Sequence, residues 1–430
     1  MSINRVFWSA LILAFWFSLA PALGSLIEGP NGGPIYPLGF YELPKEDAAL
    51  QRMANAGVNL VRVHSKEDLD RAQSVGMRGV FPLSLQEGAT DKIRQTIQEV
   101  KDHPALAVWE GPDEIIWTFT TYSGLHRVSK VYPHRDEWWR QTDIALDYSN
   151  EKAQEIIPKL LEGIATVRNL DDRNRPVWIN EAVESDARMV RRYMDDIDIT
   201  GCDIYPVNDR NRRLTRVTEG VERWKKIGRG KPVWMVLQAF SWDELGEYHG
   251  GGRERTYPTF EESRFMAYTS IVHGAAGILY WGSNYLQTDE VRESIYALTT
   301  ELSALQPFLV SEEKPEVTLD FLEIPQTTEG FGVQCFVRKA GEDWLIVLVN
   351  EDEVKHMGVE ISGLDELEGK TLHQLYGKDD LMVEGGEIIA RLRPFEVKVY
   401  STSPEYESDR TEGRDFGWDE AKEGKIDSQE

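Results

Sequence analysis

The hydrophobic residues of this chain form short uninterrupted runs that alternate with segments of helical periodicity. Ala105 to Trp109 is such a run, five consecutive apolar residues that predict a strand buried on both faces. From Glu46 to Ala56 the apolar residues instead recur at helical spacing, and Gly57 follows as a residue that commonly ends helices. Regular alternation of such strands and helices predicts a parallel sheet.

The alternation predicts eight strands, and a helix follows each of them. Strands are predicted at 35–41, 58–63, 79–83, 105–110, 177–180, 199–205, 233–237 and 277–281. Helices are predicted at 46–56, from Ser65 onward, and at 91–101, 151–168, 185–194, 217–227, 259–273 and 290–305. Eight such units over about 270 residues predict a (β/α)8 TIM barrel spanning residues 30–310. An open doubly wound sheet would need a glycine-rich phosphate turn after its first strand, and the sequence has none there.

A second domain and a tail follow the predicted barrel. Short β-rich runs separated by glycines and acidic turns predict a small C-terminal antiparallel β-sandwich over residues 315–402. Residues 403–430 carry ten acidic against four basic side chains and few apolar ones, a composition that predicts disorder.

The first 24 residues have the pattern of a signal peptide. A single positive charge at Arg5 precedes an apolar run from Val6 to Leu19, and the small residues Ala22 and Gly24 follow before a plausible cleavage point. We therefore expect a secreted or periplasmic protein with no stable membrane insertion after the signal is removed. A retained membrane anchor is the alternative, but the apolar run is shorter than a spanning helix requires.

Composition narrows the choice of partners. The formal net charge of −25 argues against nucleic acid, because phosphate binding needs a basic surface. The two cysteines, Cys202 and Cys335, fall in different predicted domains, which excludes a disulfide scaffold. Thirteen Trp are more than a core of this size needs, and such an excess is typical of surfaces that stack flat ligands such as sugar rings.

Carboxylates and aromatic side chains cluster at the predicted carboxyl ends of the strands, where barrels of this kind have their active sites. Glu110, Asp113 and Glu114 follow the fourth strand directly. A lone buried carboxylate is strongly disfavoured, so such acids are solvated, paired or used chemically. The remaining polar or aromatic residues at or near strand ends are Glu42, Arg62, His64, Glu181, Asp203, Tyr205, Gln238, Trp242 and Trp281. The long connection after the fourth strand adds Trp117, which either packs the loop or contributes to a glycan-binding wall.

Three segments, HPALAVWEGPDE, PVWMVLQAFSW and GILYW, resemble the superfamily of retaining (β/α)8 glycoside hydrolases. The resemblance covers roughly residues 35–310, and a C-terminal β-sandwich commonly accompanies such barrels. In that superfamily a Glu after strand four is the acid/base, and a Glu after strand seven is the nucleophile. The resemblance therefore implies cleavage of O-glycosidic bonds in an oligo- or polysaccharide.

Carried over by position, the resemblance assigns Glu114 as the acid/base and Asp113 as the neighbour of the substrate 2-hydroxyl. It also assigns Arg62 as the superfamily's strand-two Arg and Tyr205 as the strand-six Tyr that orients the nucleophile. Trp281 takes the place of the sugar platform on strand eight. The sequence departs from the pattern at strand seven, where Gln238 stands in place of the nucleophilic Glu. A neutral amide cannot form the glycosyl ester. We expect further substrate contacts from His64, Trp117, Trp242 and Gln238.

Three explanations of Gln238 are open. Another acid among Glu181, Asp203 and Asp243 could be the nucleophile; the enzyme could invert, using one of these acids as a base; or the barrel could bind sugar without cleaving it. The leading hypothesis is a glycoside hydrolase with Glu114, Asp203 and Glu181 as catalytic candidates, and the alternative is a non-catalytic carbohydrate-binding barrel.

A metal-dependent lyase or isomerase is a third hypothesis. It would bind Mg²⁺ on Glu114, Glu181 and Asp203, but the sequence has no Lys at a strand end to act as its base. We therefore expect no cofactor and no metal. Structural roles are also open for the candidates: Asp203 as a hydrogen-bonded core acid, Arg62 in an ion pair inside the barrel, and Asp113 as a loop cap.

Overall fold

The computed structural model describes residues 27–134, 136–245, 255–286, 288–324 and 332–409. The predicted signal peptide, residues 1–24, lies outside the described residues, as does most of the predicted tail. The described chain has two parts, a closed parallel barrel and a pair of antiparallel sheets.

The barrel confirms the predicted fold class. Its eight strands pair in sequence order, and β8 closes the barrel by pairing in parallel with β1. The strands are β1 Leu38–Phe40, β2 Leu60–Arg62, β3 Arg78–Pro82, β4 Leu106–Glu110, β5 Val177–Ala182, β6 Ile199–Ile204, β7 Val233–Gln238 and β8 Gly277–Trp281. Every residue of β4, β5, β6 and β7 is buried, which explains why these strands are mostly apolar.

The helices surround the barrel. They are α1 Asp47–Asn55, α2 Lys66–Ser74, α3 Asp91–Val100, α4 Ile115–Thr120, α5 Ser123–Arg127, α6 Asp143–Leu170, α7 Ala187–Val190, α8 Arg216–Gly228, α9 Phe260–Val272, α10 Asp289–Ala304 and α11 Gln306–Leu309. The predicted helix at 185–194 is reduced to the four residues of α7, because the chain then turns so that Tyr193 hydrogen-bonds Glu181. The connection after β4 contains α4 and α5, which the sequence pattern did not predict.

Large aromatic side chains fill the barrel interior. The rings of Trp178 and Trp234 lie 5.2 Å apart, and Tyr41 contacts Trp178 edge-on. A Cβ atom at Gly201 would lie 2.4 Å from the Trp234 carbonyl oxygen, so only glycine fits beside the two indoles. This packing closes the barrel below its carboxyl end and gives any site there a solid floor.

The second part is the predicted antiparallel β-sandwich. One sheet has the order β10-β11-β16-β13-β14 and the other the order β15-β12-β9. The strands are β9 Thr318–Phe321, β10 Val333–Ala340, β11 Asp343–Asn350, β12 Met357–Ser362, β13 Thr371–Leu375, β14 Leu381–Met382, β15 Glu387–Leu392 and β16 Val397–Ser401. The two-residue strand β14 was not predicted, since it is too short to leave a pattern.

Helix α9 lies between the barrel and the sandwich. Its residues are buried on nearly all sides, and Arg264 donates a 2.8 Å hydrogen bond to the Val397 carbonyl oxygen of the sandwich. The buried carboxylate of Glu351, just after β11, accepts hydrogen bonds from Thr218 on α8 and Thr269 on α9. The two domains therefore share buried polar and apolar contacts.

The ordered chain continues past the predicted boundary at residue 402. Pro404–Tyr406 forms a 3-10 turn, and the Tyr406 hydroxyl donates a 3.1 Å hydrogen bond to Asp343. The Tyr406 ring also packs edge-on against Phe308, so the start of the predicted disordered tail is ordered against both domains.

Two further properties concern the described chain as a whole. Cys202 and Cys335 are free thiols. Within the described ranges, no helix combines the length and the apolar character that crossing a membrane requires.

Candidate active site

A cavity of about 840 Å³ opens at the carboxyl end of the barrel. Residues from the ends of β4, β5, β6 and β8 line it, together with the short helices that follow β4. The position agrees with the rule for this fold, and the volume is within the usual range for small-molecule sites. Seven of the predicted site residues line this cavity: Asp113, Glu114, Trp117, Asp203, Tyr205, Trp242 and Trp281.

Glu114 is positioned by an unusual backbone conformation. Its φ of 50° is left-handed, and its N–H donates a 3.0 Å hydrogen bond to the Asn180 carbonyl oxygen. This turn lets the chain pass directly from β4 into α4 while the Glu114 side chain faces the cavity. A non-glycine residue in this conformation is uncommon, and such strain concentrates at functional sites.

The carboxyl groups of Glu114 and Asp203 are neighbours in the cavity, and each affects the pKa of the other. Burial and the charge of Asp113 together raise the pKa of Glu114 to about 7. Burial, together with the charges of Glu114 and Asp113, raises the pKa of Asp203 well above its usual range. Both carboxyl groups therefore keep their protons to higher pH than ordinary carboxyl groups do.

Asn180 connects the acids of β4 and β6. Its Nδ2 donates to Asp113 Oδ1 at 3.0 Å and to Asp203 Oδ1 at 3.3 Å. The Asn180 side chain is 2% exposed, and its Oδ1 accepts no hydrogen bond from the residues that the structure describes. A buried acceptor without a partner that lines a cavity is suited to receive a donor from a ligand.

Sequence reasoning missed Asn180, although strand periodicity could have found it. Side chains of a barrel strand alternate between the interior and the surrounding helices. Trp178 packs in the barrel interior, so Asn180 shares that direction and Glu181 points the other way. The opposite directions of these neighbours separate a cavity residue from a structural one.

Glu181 lies behind the cavity wall. Its carboxylate accepts from the backbone N–H groups of Ile116 and Trp117 at the start of α4, and from the hydroxyls of Ser185 and Tyr193. Burial raises its pKa to about 7 despite these donors. The predicted catalytic candidate therefore anchors α4 and is not among the described residues that line the cavity.

Gln238 is also engaged in the scaffold. Its Oε1 accepts from Val207 N–H at 3.0 Å, and its Nε2 donates to the carbonyl oxygens of Val207 and Phe240. The side chain is fully buried and outside the described cavity lining. The amide ties the loop after β6 to the loop after β7, so it is not available to a substrate in the predicted way.

Two other predicted contacts also lie away from the cavity lining. Arg62 pairs with Glu110 at 2.7 Å inside the barrel, and its guanidinium lies over the Tyr41 ring. Burial raises the pKa of Glu110 to about 7, although Arg62 opposes this shift. His64 is exposed, and its backbone N–H donates to Asp68 at the start of α2.

Aromatic side chains form two groups around the cavity. Trp281 stacks on Tyr205 at 5.6 Å, and Phe240 and Trp242 pack edge-on beside them. On the β4 side, the Trp117 ring lies 6.2 Å from Trp139, which is 56% exposed. Aromatic faces next to carboxylates suit the apolar faces and hydroxyl groups of a sugar.

Solved structures with the same architecture cover most of the chain. A β-galactosidase from Bacillus circulans sp. alkalophilus is 9% identical, with a TM-score of 0.53 over 86% of this chain and 99% of that one. A glycoside hydrolase family 5 protein from Bacteroides vulgatus is 13% identical, with a TM-score of 0.54 over 86% and 90%. A GH51 arabinofuranosidase from Xanthomonas axonopodis pv. citri is 10% identical, with a TM-score of 0.51 over 82% and 89%.

These neighbours are glycoside hydrolases, and the likeness shows that the chain shares their (β/α)8 fold. The predicted resemblance is confirmed at that level. No protein-family model matches the chain, and no curated protein matches it.

Proposed function

We propose that the protein is a glycoside hydrolase in which Glu114 protonates the glycosidic oxygen of an oligo- or polysaccharide. The observation that carries the proposal is the position of Glu114, at the carboxyl end of β4 in a cavity between two aromatic groups. Its pKa of about 7 leaves the carboxyl group protonated in mildly acidic solution, as a general acid requires. Secretion, expected from residues 1–24, would bring the enzyme to extracellular glycans.

The test compares wild type with Glu114→Gln on glycans whose leaving group is another sugar. A sugar alkoxide leaves poorly unless it is protonated, so the variant should lose about 100-fold or more in kcat/KM. An activated aryl glycoside, whose leaving group departs without protonation, should be much less affected. Glu99→Gln, on the exposed face of α3, is the matched control for loss of one negative charge.

A non-catalytic carbohydrate-binding barrel is the second candidate. The engagement of Gln238 in backbone hydrogen bonds favours it, because the position of the superfamily's nucleophile then offers no carboxylate. Saturable binding of a glycan without product, equal in wild type and Glu114→Gln, would support binding without catalysis and reject the hydrolase.

A further inference from the structure

The candidate site has an acid but lacks an obvious protein nucleophile. In a retaining enzyme the acid and the nucleophile are about 5 to 5.5 Å apart, on either side of the sugar. Asn180 Nδ2 donates to both Asp113 and Asp203, so Asp203 lies on the same wall of the cavity as Asp113 and the acid that follows it. Burial and the charges of Glu114 and Asp113 raise the pKa of Asp203 well above its usual range, which favours the protonated form that does not attack carbon.

The other acids at the described strand ends are engaged elsewhere. Glu181 accepts four hydrogen bonds behind the wall, and Glu110 pairs with Arg62 inside the barrel. Glu42, after β1, accepts from Gly282 N–H at 2.6 Å and from the Ser283 hydroxyl at 2.8 Å. None of these three acids is among the described residues that line the cavity.

Three loop acids do line the cavity. Asp136 lies 3.5 Å from His134 and 3.6 Å from Arg140. Glu184 pairs with Arg216, and Glu244 accepts hydrogen bonds from Ser241 N–H and the Tyr257 hydroxyl. Any of these three acids could act as a base for water in an inverting reaction, which the stereochemistry of the product would reveal.

Asp113 and Asn180 place hydrogen-bond acceptors on the cavity wall beside Glu114. The Asp113 carboxylate faces the cavity, and the buried Asn180 Oδ1 next to it accepts no hydrogen bond from the described chain. Both groups are acceptors, so they favour a ligand that presents a donor there. Tyr205 lines the same cavity, and burial together with the charge of Asp203 raises the pKa of its hydroxyl, which therefore stays protonated and able to donate.

An amide group matches this arrangement, because its N–H can donate to Asp113 while its carbonyl oxygen accepts from a hydroxyl such as that of Tyr205. We propose, resting on the glycosidase function above, that the sugar bound beside Glu114 carries a 2-acetamido group whose carbonyl oxygen attacks the anomeric carbon. The substrate class is then a β-linked glycan of 2-acetamido-2-deoxy sugars.

The reaction balances without a co-reactant other than water. Glu114 gives its proton to the glycosidic oxygen, the bond from that oxygen to C1 breaks, and the acetamido oxygen forms a new bond to C1. The resulting cyclic oxazolinium ion is positively charged at nitrogen, and Asp113 accepts its N–H hydrogen bond. Water then adds to C1 as the Glu114 carboxylate takes its proton, the ring opens, and the anomeric configuration is retained.

The first test uses aryl β-glycosides that differ only at C2, in both the gluco and the galacto series. The 2-acetamido compounds should be cleaved at least 100-fold faster than the 2-hydroxy and 2-amino compounds, with retention of configuration by NMR. Comparable cleavage of the 2-hydroxy compounds, or inversion, would overturn the inference and leave the proposed hydrolase intact. Preference for the free 2-amino compounds would also overturn it, since an ammonium group cannot attack C1.

A second test uses only the wild-type protein, so its outcome does not depend on whether a variant folds. Successive fluorination of the acetamido methyl group makes its carbonyl oxygen a weaker nucleophile, so kcat/KM should fall steeply from the acetyl to the trifluoroacetyl compound. A flat series would reject attack by the substrate amide. Absence of turnover on every compound and on glycans, in wild type and Glu114→Gln alike, would instead reject the hydrolase and the inference together.

A matched pair of variants separates the two neighbouring acids. Asp113→Asn removes the negative charge that stabilises the oxazolinium ion and should lower kcat by about 100-fold. Asp203→Asn removes no nucleophile under this inference, so it should lower kcat less than Asp113→Asn does. The reverse order of effects would identify Asp203 as the nucleophile and overturn the inference.

Discussion

The protonation of Glu114 predicts the pH dependence of turnover. Burial and the charge of Asp113 raise its pKa to about 7, compared with an ordinary value of 4.5. Because the protonated form is the acid, kcat/KM should be highest below pH 7 and fall about tenfold per pH unit above it. Loss of the acid altogether should cost about 100- to 10,000-fold, or about 3 to 5 kcal/mol in the barrier, for a sugar leaving group.

The assay measures initial rates of oligosaccharide cleavage across the pH range, with an aryl glycoside in parallel. Glu114→Gln should abolish the alkaline limb, because its amide does not titrate. Asp113→Asn should move the limb to lower pH, since the charge that raises the pKa of Glu114 is gone. An alkaline limb near the ordinary glutamate pKa, or one that persists in Glu114→Gln, would refute the assignment of the acid.

Three other predictions follow from the contacts of the site. Glu181→Ala should lower the free energy of unfolding by about 3 to 5 kcal/mol in urea titrations, because four buried donors lose their acceptor; a loss below about 1 kcal/mol, as for Glu99→Ala, would contradict this. Burial raises the pKa of Glu110 and Glu181 to about 7, so the folded state binds more protons between about pH 4.5 and 7, and the melting temperature should decrease as pH rises through that window; an increase would contradict it. Trp281→Ala should weaken glycan binding to Glu114→Gln by about 3- to 10-fold in calorimetry, and unchanged affinity would remove the stacking role.

The fold was predictable because parallel strands buried on both faces leave uniform apolar runs. The run from Ala105 to Trp109 located β4, and the rule for barrel active sites then placed Glu114 and Asp203 in one cavity. The alternating directions of side chains along a strand would have distinguished Asn180 from Glu181, but the choice of candidates by position at the strand ends did not use them. Asn180 and Glu181 are neighbours, yet one lines the cavity and the other anchors α4.

Other features depend on contacts between distant parts of the chain. Gln238 was expected at the substrate because of its position, but its partners are backbone groups of Val207 and Phe240 on two loops. The left-handed turn at Glu114 was also not predicted, because glycine is the residue that usually occupies such conformations. Position along a strand thus predicted the neighbourhood of the site better than the role of each member.

The burial of α9 on nearly all its sides has a consequence for the modularity of this protein. A helix with solvent on one side would show a polar stripe, whereas α9 has apolar or hydrogen-bonded neighbours in both domains. Removing the sandwich would expose Phe265, whose ring packs 4.9 Å from Phe395, and would take Glu351 away from Thr269. The barrel is therefore not an independent folding unit, and the two domains should melt in a single cooperative transition. Any exchange of the C-terminal domain must preserve the surface that packs against α9.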